Sequence, residues 1–170
     1  MIGSGARVYA SRALPADRQD LVDEALARFL AHYEVHQLDR TRLYPGVAGL
    51  LDALVARGVP MAVLSNKPHD FTVRYVNAYF DRWDFNVVMG QSDRFPVKPD
   101  PASALDIARQ IDLPPSSFLF VGDSAVDMQT ATAAGMFSVG AAWGFRGAKE
   151  LRENGCRALV AHPLEILTLV

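Results

Sequence analysis

The chain carries one cysteine, Cys156, which excludes an intramolecular disulfide framework and a cysteine-based zinc site. No apolar run approaches the ~18 residues that a membrane-spanning helix needs, and Met1 is not followed by the basic and then apolar pattern of a signal peptide. A surplus of either charge is also missing. Lys and Arg number 17 against 19 Asp and Glu, a net charge of −2, which excludes a strongly basic nucleic-acid binder on charge alone. There is no internal repeat and no low-complexity stretch. No two aspartates stand two residues apart, an absence that matters below. What remains is 170 residues, 50% hydrophobic and 21% charged. That is one domain, or one domain with a small appendage, able to bury roughly 70% of its unfolded surface. The expectation is a soluble, cytoplasmic α/β protein that engages neither membrane nor nucleic acid.

Periodicity divides the chain. The first fourteen residues are moderately apolar, with early glycines Gly3 and Gly5 and then Pro15. From Asp17 to His36, Leu21, Val22, Ala25, Leu26, Phe29, Leu30 and Tyr33 form a helical stripe with acidic residues near its N-terminal end. A helix over Gly46 to Arg57 follows, stopped by Gly58. The texture then alternates. Strands are predicted at Val59–Leu64, Asn86–Gly90, Ser117–Val121, Phe137–Ala141 and Ala158–Ala161. Helices are predicted over His69–Phe80, Asp100–Ile111, from Ser124 to about Ala134, near Ala148–Asn154 and over Leu164–Leu169. Strand, polar turn, helix, strand reads as parallel βαβ units, whose chemistry gathers beyond the carboxyl ends of the strands.

Three polar segments occupy strand ends or helix starts. Ser65-Asn66-Lys67 ends an apolar strand, Lys98 sits among prolines in Val97-Lys98-Pro99-Asp100-Pro101, and Gly122-Asp123-Ser124-Ala125-Val126-Asp127 places two carboxylates four residues apart. Each alone has a plain structural explanation: a helix cap, a helix N-terminus with Asp100 as cap, a solvated helix face. Together they suit a phosphate held beside a divalent metal. Ser65 and Asn66 can donate to phosphate oxygens. Lys98 supplies a charge worth ~4 kcal/mol at about 4 Å in an effective dielectric of about 20. Asp123 and Asp127 suit Mg²⁺, and Gly122 lets the backbone approach that site.

The set resembles the haloacid dehalogenase superfamily of phosphatases: Ser65 matches the second family motif, Lys98 the third, and Gly122 to Asp127 the fourth. Leu43-Tyr44-Pro45-Gly46-Val47, Ser65-Asn66-Lys67, Lys98-Pro99-Asp100-Pro101, Ala133-Ala134-Gly135-Met136 and Trp143-Gly144 are similar to the phosphoglycolate phosphatase branch. The resemblance implies a Rossmann-like parallel core over 42–170, with residues 1–41 as the remainder of a helical cap. It further implies Mg²⁺ at Asp123 and Asp127, Ser65 and Lys98 as catalytic groups, and Ser65, Asn66 and Lys98 as binders of a small phosphorylated metabolite such as 2-phosphoglycolate.

One family feature is absent. The nucleophile and the general acid/base form an Asp-x-Asp motif at the end of a first, central strand, and this sequence has neither. That strand would lie between Val59–Leu64 and Ser117–Val121. Without it, their inner edges must pair with each other, take a strand from a partner such as a second copy, or stay exposed. The expectation is a fragment, inactive by itself. The alternative is a non-catalytic protein that binds phosphate or a partner, its sheet edge covered in a homodimer. A phospho-receiver reading fits less well, because its lysine would follow the acceptor aspartate, and Lys98 precedes Asp123.

Other residues have plainer readings. His32 and His36 stand four apart without a third ligand in view. His69 reads as a structural residue near the phosphate turn. Gly3-Ser4-Gly5-Ala6-Arg7 matches a cap segment near the family's active site; Arg7 reads as a surface arginine, with a partner for a substrate carboxylate as the alternative. Trp83, Phe85 and Trp143 read as packing residues.

Overall fold

The structure is a computed structural model and describes residues 5–170; Gly3 and Ser4 lie outside the described residues. Helix α1 (Ala6–Ala13) opens the chain. A 3-10 helix over Ala16–Leu21 leads into α2 (Val22–His36). The sequence predicts one helix from Asp17, but Arg18 leaves helical geometry at φ −122° and ψ 29°, so the regular turn begins only at Val22. Helix α1 was not anticipated: its residues Ala6–Ala13 put only Ala10 in a buried position, too little for a visible stripe.

Helix α3 (Val47–Ala56) then leads to β1 (Ala62–Pro68), α4 (His69–Tyr79), β2 (Val87–Gln91) and α5 (Ala102–Ile111). After a short 3-10 turn come β3 (Leu119–Gly122), α6 (Ala125–Ala133), β4 (Phe137–Ala141), α7 (Ala148–Glu153) and β5 (Ala158–Val160). Two expectations shift. The first strand starts at Ala62 rather than Val59, because Pro60 has no N–H for a ladder, and it runs on through Ser65-Asn66-Lys67. The last helix is a 3-10 helix over Pro163–Thr168, a stretch short enough for that tighter geometry.

All strand pairs are parallel. β1 pairs with β2, Ala62 opposite Val87 through Leu64 opposite Met89. β3, β4 and β5 form a separate 3-stranded sheet, Leu119 opposite Phe137 and Val139 opposite Ala158. Among the described residues no strand joins β1 to β3. Among the described residues the inner edges of β1 and β3 do not pair with each other, and Val121 of β3 is 41% exposed.

Two apolar clusters hold the layers. Leu50, Leu51 and Leu54 of α3 meet Met61, Trp83, Val139, Val160 and Ile166. Ala104 and Ala108 of α5 meet Ala131, Ala134 and Met136, with Leu64, Phe118 and Phe120 against them; the small side chains let helix and sheet approach closely. No helix among the described residues is long and apolar enough to cross a membrane.

Candidate active site

The ends of β1 and β3 and the loop before α5 converge on a cavity of about 470 Å³. Ser65, Asn66, Lys98, Asp123 and Asp127, the five residues singled out in the sequence, all line it. The Ser65 hydroxyl accepts from the Lys67 N–H at 3.1 Å, an arrangement that leaves its own proton to donate.

Lys98 lies at the centre. Its Nζ donates to Asp127 Oδ1 at 2.7 Å and to the Leu64 carbonyl, at the end of β1's regular pairing, at 3.2 Å. Both side chains of the ion pair are only 10% exposed. A buried pair of this kind holds geometry more than it adds stability, because each ion has given up its water.

Asn66 differs from the expectation that it faces phosphate. Its Nδ2 donates to the Lys98 carbonyl at 3.0 Å, and its Oδ1 accepts from the Lys98 N–H at 2.8 Å. The amide therefore fixes the backbone of Lys98 on both sides, across 32 residues of sequence.

The two aspartates are not equivalent. Asp127 Oδ2 accepts from the N–H groups of Asp123 and Ser124 at 3.2 and 3.1 Å and from the Ser124 hydroxyl at 2.6 Å, reaching back to the start of α6 as a third-position carboxylate can. With Oδ1 on Lys98, both of its oxygens are taken. Asp123 Oδ2 accepts from the Phe145 N–H at 2.9 Å, and its Oδ1 has no hydrogen-bond partner among the described residues. Two glycines make this packing possible. A Cβ at Gly122 would stand 2.2 Å from Asp127 Cβ, and one at Gly144 2.2 Å from Asp123 Cβ.

The fit to Mg²⁺ is therefore narrower than the sequence suggests. Among the described residues no group of three or more His, Cys, Asp or Glu side chains could hold a metal ion. Asp123 Oδ1 is the carboxylate oxygen on offer. Mg²⁺ characteristically uses one or two carboxylates with substrate phosphate and water, so the donor set fits that ion with a phosphate present.

Lys67 completes the Ser65-Asn66-Lys67 segment. Its ammonium lies 4.5 Å from the Tyr33 ring centroid and 4.3 Å from that of Tyr75, and it donates to the Tyr33 hydroxyl. Burial pushes the Lys67 ammonium below its ordinary pKa, against the opposing influence of Tyr75. Burial, with the Tyr75 hydroxyl beside it, pushes the Tyr33 phenol up. The end of β1 is thus joined to Tyr33 of α2 and Tyr75 of α4 by a cation between two phenols. Sequence reading had counted Tyr33 only as one more apolar position of a stripe.

The remaining candidates sit elsewhere. His36 Nδ1 bonds Asp39 at 2.8 Å with the His32 ring tilted against it at 4.4 Å, and neither histidine lines the cavity. His69 Nδ1 accepts from the Gly90 N–H. Arg7 pairs with Asp23 at 2.6 Å, both exposed, and does not line the cavity, although its neighbours Gly5 and Ala6 do.

A family model of haloacid dehalogenase-like hydrolases matches residues 1–135. The chain belongs to that family. This haloacid dehalogenase-like chain is 39% identical over 155 residues to the phosphoglycolate phosphatase of Pseudomonas putida, a match covering 85% of the chain and 55% of that protein. It is 35% identical over 165 residues to that of Escherichia coli, covering 85% and 66%. The chain thus spans about half to two thirds of the length of the curated relatives it matches. Among solved structures, a predicted phosphoglycolate phosphatase from Haemophilus somnus superposes with a TM-score of 0.84 at 28% identity, covering 99% of this chain and 78% of that one. A haloacid dehalogenase-like hydrolase from Streptococcus pneumoniae shares the fold at a TM-score of 0.88 and 19% identity, covering 99% and 77%.

Proposed function

We propose that this chain provides the phosphate-binding and metal-binding half of a Mg²⁺-dependent phosphomonoester hydrolase of the phosphoglycolate phosphatase type. The observation that carries the reading is the convergence of Ser65, Lys98 and Asp123 on one cavity. Ser65 donates its hydroxyl proton to a phosphoryl oxygen. Lys98, held in place by Asn66 and Asp127, faces the phosphate as a positive charge of fixed position. Asp123 would hold Mg²⁺, which supplies neutralisation of phosphate charge; Asp127 serves that site by fixing Lys98 and the Asp123 backbone.

Hydrolysis through an aspartyl-phosphate, the route the family resemblance implies, needs a carboxylate nucleophile. Asp127 is fully engaged and Asp123 is the candidate metal ligand. By itself the chain therefore binds phosphate esters without turning them over. We infer that a strand carrying an Asp-x-Asp would fit between β1 and β3, whose facing edges are unpaired among the described residues. The same open edges favour a second reading, a non-catalytic protein whose edges pair with a partner or a second copy; a concentration-independent dimer by light scattering would support it.

The test is calorimetric binding of inorganic phosphate and 2-phosphoglycolate with and without Mg²⁺, beside release of phosphate from p-nitrophenyl phosphate. Binding that weakens about tenfold in Ser65→Ala, with no turnover, is the expected result; a hydrogen bond to a charged group is worth about 1.5–3 kcal/mol. Mg²⁺-dependent turnover that disappears in Asp123→Asn would mean that a carboxylate of this chain acts as nucleophile, and the reading would fail.

A further inference from the structure

We propose that the wall of the cavity opposite Ser65 and Lys98 is a subsite for the alcohol half of the substrate, and that it selects phosphomonoesters whose alcohol carries a ring over the two-carbon 2-phosphoglycolate. This rests on the reading that the opposite end of the cavity takes the phosphate.

The wall is a row of aromatic rings in mutual contact. Tyr9 of α1 lies 5.1 Å from Phe29 of α2, Phe29 lies 5.4 Å from Tyr33 in a stacked arrangement, and Tyr33 meets Phe71 of α4 edge-on at 5.5 Å. All four line the same cavity as Ser65, Lys98 and Asp123. They are not the sealed interior of the helical segment. Across α1 and α2 the buried side chain is Ala10, and the four rings are each half-buried, so part of their surface remains for a ligand. A phosphate has no use for such a surface, whereas a ring, planar or saturated, can lay a face or edge against it.

Charge and size point the same way. A carboxylate on the alcohol would call for a cation in this wall. Arg7 does not line the cavity and meets Asp23 on the exposed surface, and Lys67 holds its ammonium between the Tyr33 and Tyr75 rings. Arg146 lines the cavity from the core side, 3.8 Å from Glu150, not from the aromatic wall. The volume of about 470 Å³ falls in the range of about 300–1,000 Å³ that suits ligands of several rings' size. Gly5 and Ala6 in the same lining add little bulk of their own.

Isothermal titration calorimetry on the full chain with four probes tests this: inorganic phosphate, 2-phosphoglycolate, phenyl phosphate and glucose 6-phosphate. A ring-bearing ester is expected to bind about tenfold tighter than 2-phosphoglycolate, or ~1.4 kcal/mol. Preference for phenyl phosphate alone assigns a planar ring, preference for glucose 6-phosphate alone a saturated one, and both results support the subsite. Phe29→Leu, which keeps the apolar volume of the helix contact, is expected to remove most of that preference and leave phosphate binding unchanged. Phe29→Tyr, which keeps the ring, should retain it. Equal or tighter binding of 2-phosphoglycolate, or a preference that survives Phe29→Leu, overturns the subsite while phosphate binding upholds the function proposed above. Failure of every probe, phosphate included, overturns both.

Discussion

β3 and β4 lie side by side in register, with Val121 directly opposite Val139, yet the two valines live in different surroundings. Val139 is 0% exposed and Val121 41%. β4 is paired on both edges and β3 on one. The lesson is a division of labour: β4 carries no candidate site residue and anchors the core, whereas β1 and β3, each paired on one edge among the described residues, deliver Ser65, Asn66 and the Gly122–Asp127 turn. The polar half is the site end of β1 and β3, tied by Lys98 and Asp127 over the apolar packing that Leu64 and Phe120 share with α5.

The largest expected effect probes the polar half. Asp127→Ala removes the partner of a buried ammonium and the acceptor for the start of α6, and should lower unfolding free energy by about 3–5 kcal/mol in urea titrations. A loss below 1 kcal/mol would break the comparison.

Next come the facing valines. Val139→Ala should cost about 2 kcal/mol from lost burial and residual cavity, while Val121→Ala should stay within ~0.5 kcal/mol. Equal losses in denaturant midpoints would show that the open edge is covered in solution.

A smaller effect concerns the metal. Gly144→Ala pushes a methyl into Asp123 and should weaken Mg²⁺ binding by about tenfold, as changes behind a ligand do, with a loss of about 1–3 kcal/mol of stability from the clash. Unchanged titration would remove Asp123 from the metal site.

The smallest effect is acid sensitivity. Asp106 on α5, which packs against β1 and β2, is 3% exposed. Burial alone would raise its pKa, but Gln110, Arg109 and Arg94 outweigh burial and hold the carboxyl below its ordinary range. Arg82 and Trp83 do the same for the exposed Asp52. A carboxyl lowered on folding stabilises above its unfolded pKa of about 3.9 and loses that contribution as pH falls through the folded value. Urea midpoints should therefore decline with acid below about pH 5, less steeply in Asp106→Asn. Hydrogen exchange should open the β1–β2 half first.

The sequence made the parallel βαβ alternation legible, because β4 matches its predicted span and α3 to α7 differ by a residue or two at their ends. Ser65, Lys98, Asp123 and Asp127 were legible as well, since strand ends and helix starts are marked locally by polar residues after apolar runs. What was hidden depends on pairing across distance. Asn66 was read as facing phosphate because nothing local shows that its amide meets the backbone of Lys98. The difference between Asp123 and Asp127 appears only when each oxygen is assigned a donor. Tyr33 and Phe29 looked like ordinary stripe positions, because periodicity says which residues share a face and not what that face meets.

The end of α2 carries a consequence of its own. Just past His36, the Gln37 carbonyl accepts from the Tyr75 hydroxyl at 2.5 Å and the Leu38 carbonyl from that of Tyr79 at 2.8 Å. The two tyrosines stand one helical turn apart on α4 and act as paired rivets on a seam. The punctuation that closes α2 is thus written in another helix, about forty residues downstream in the sequence, so the boundary moves with α4 and becomes a pivot whose position the core dictates.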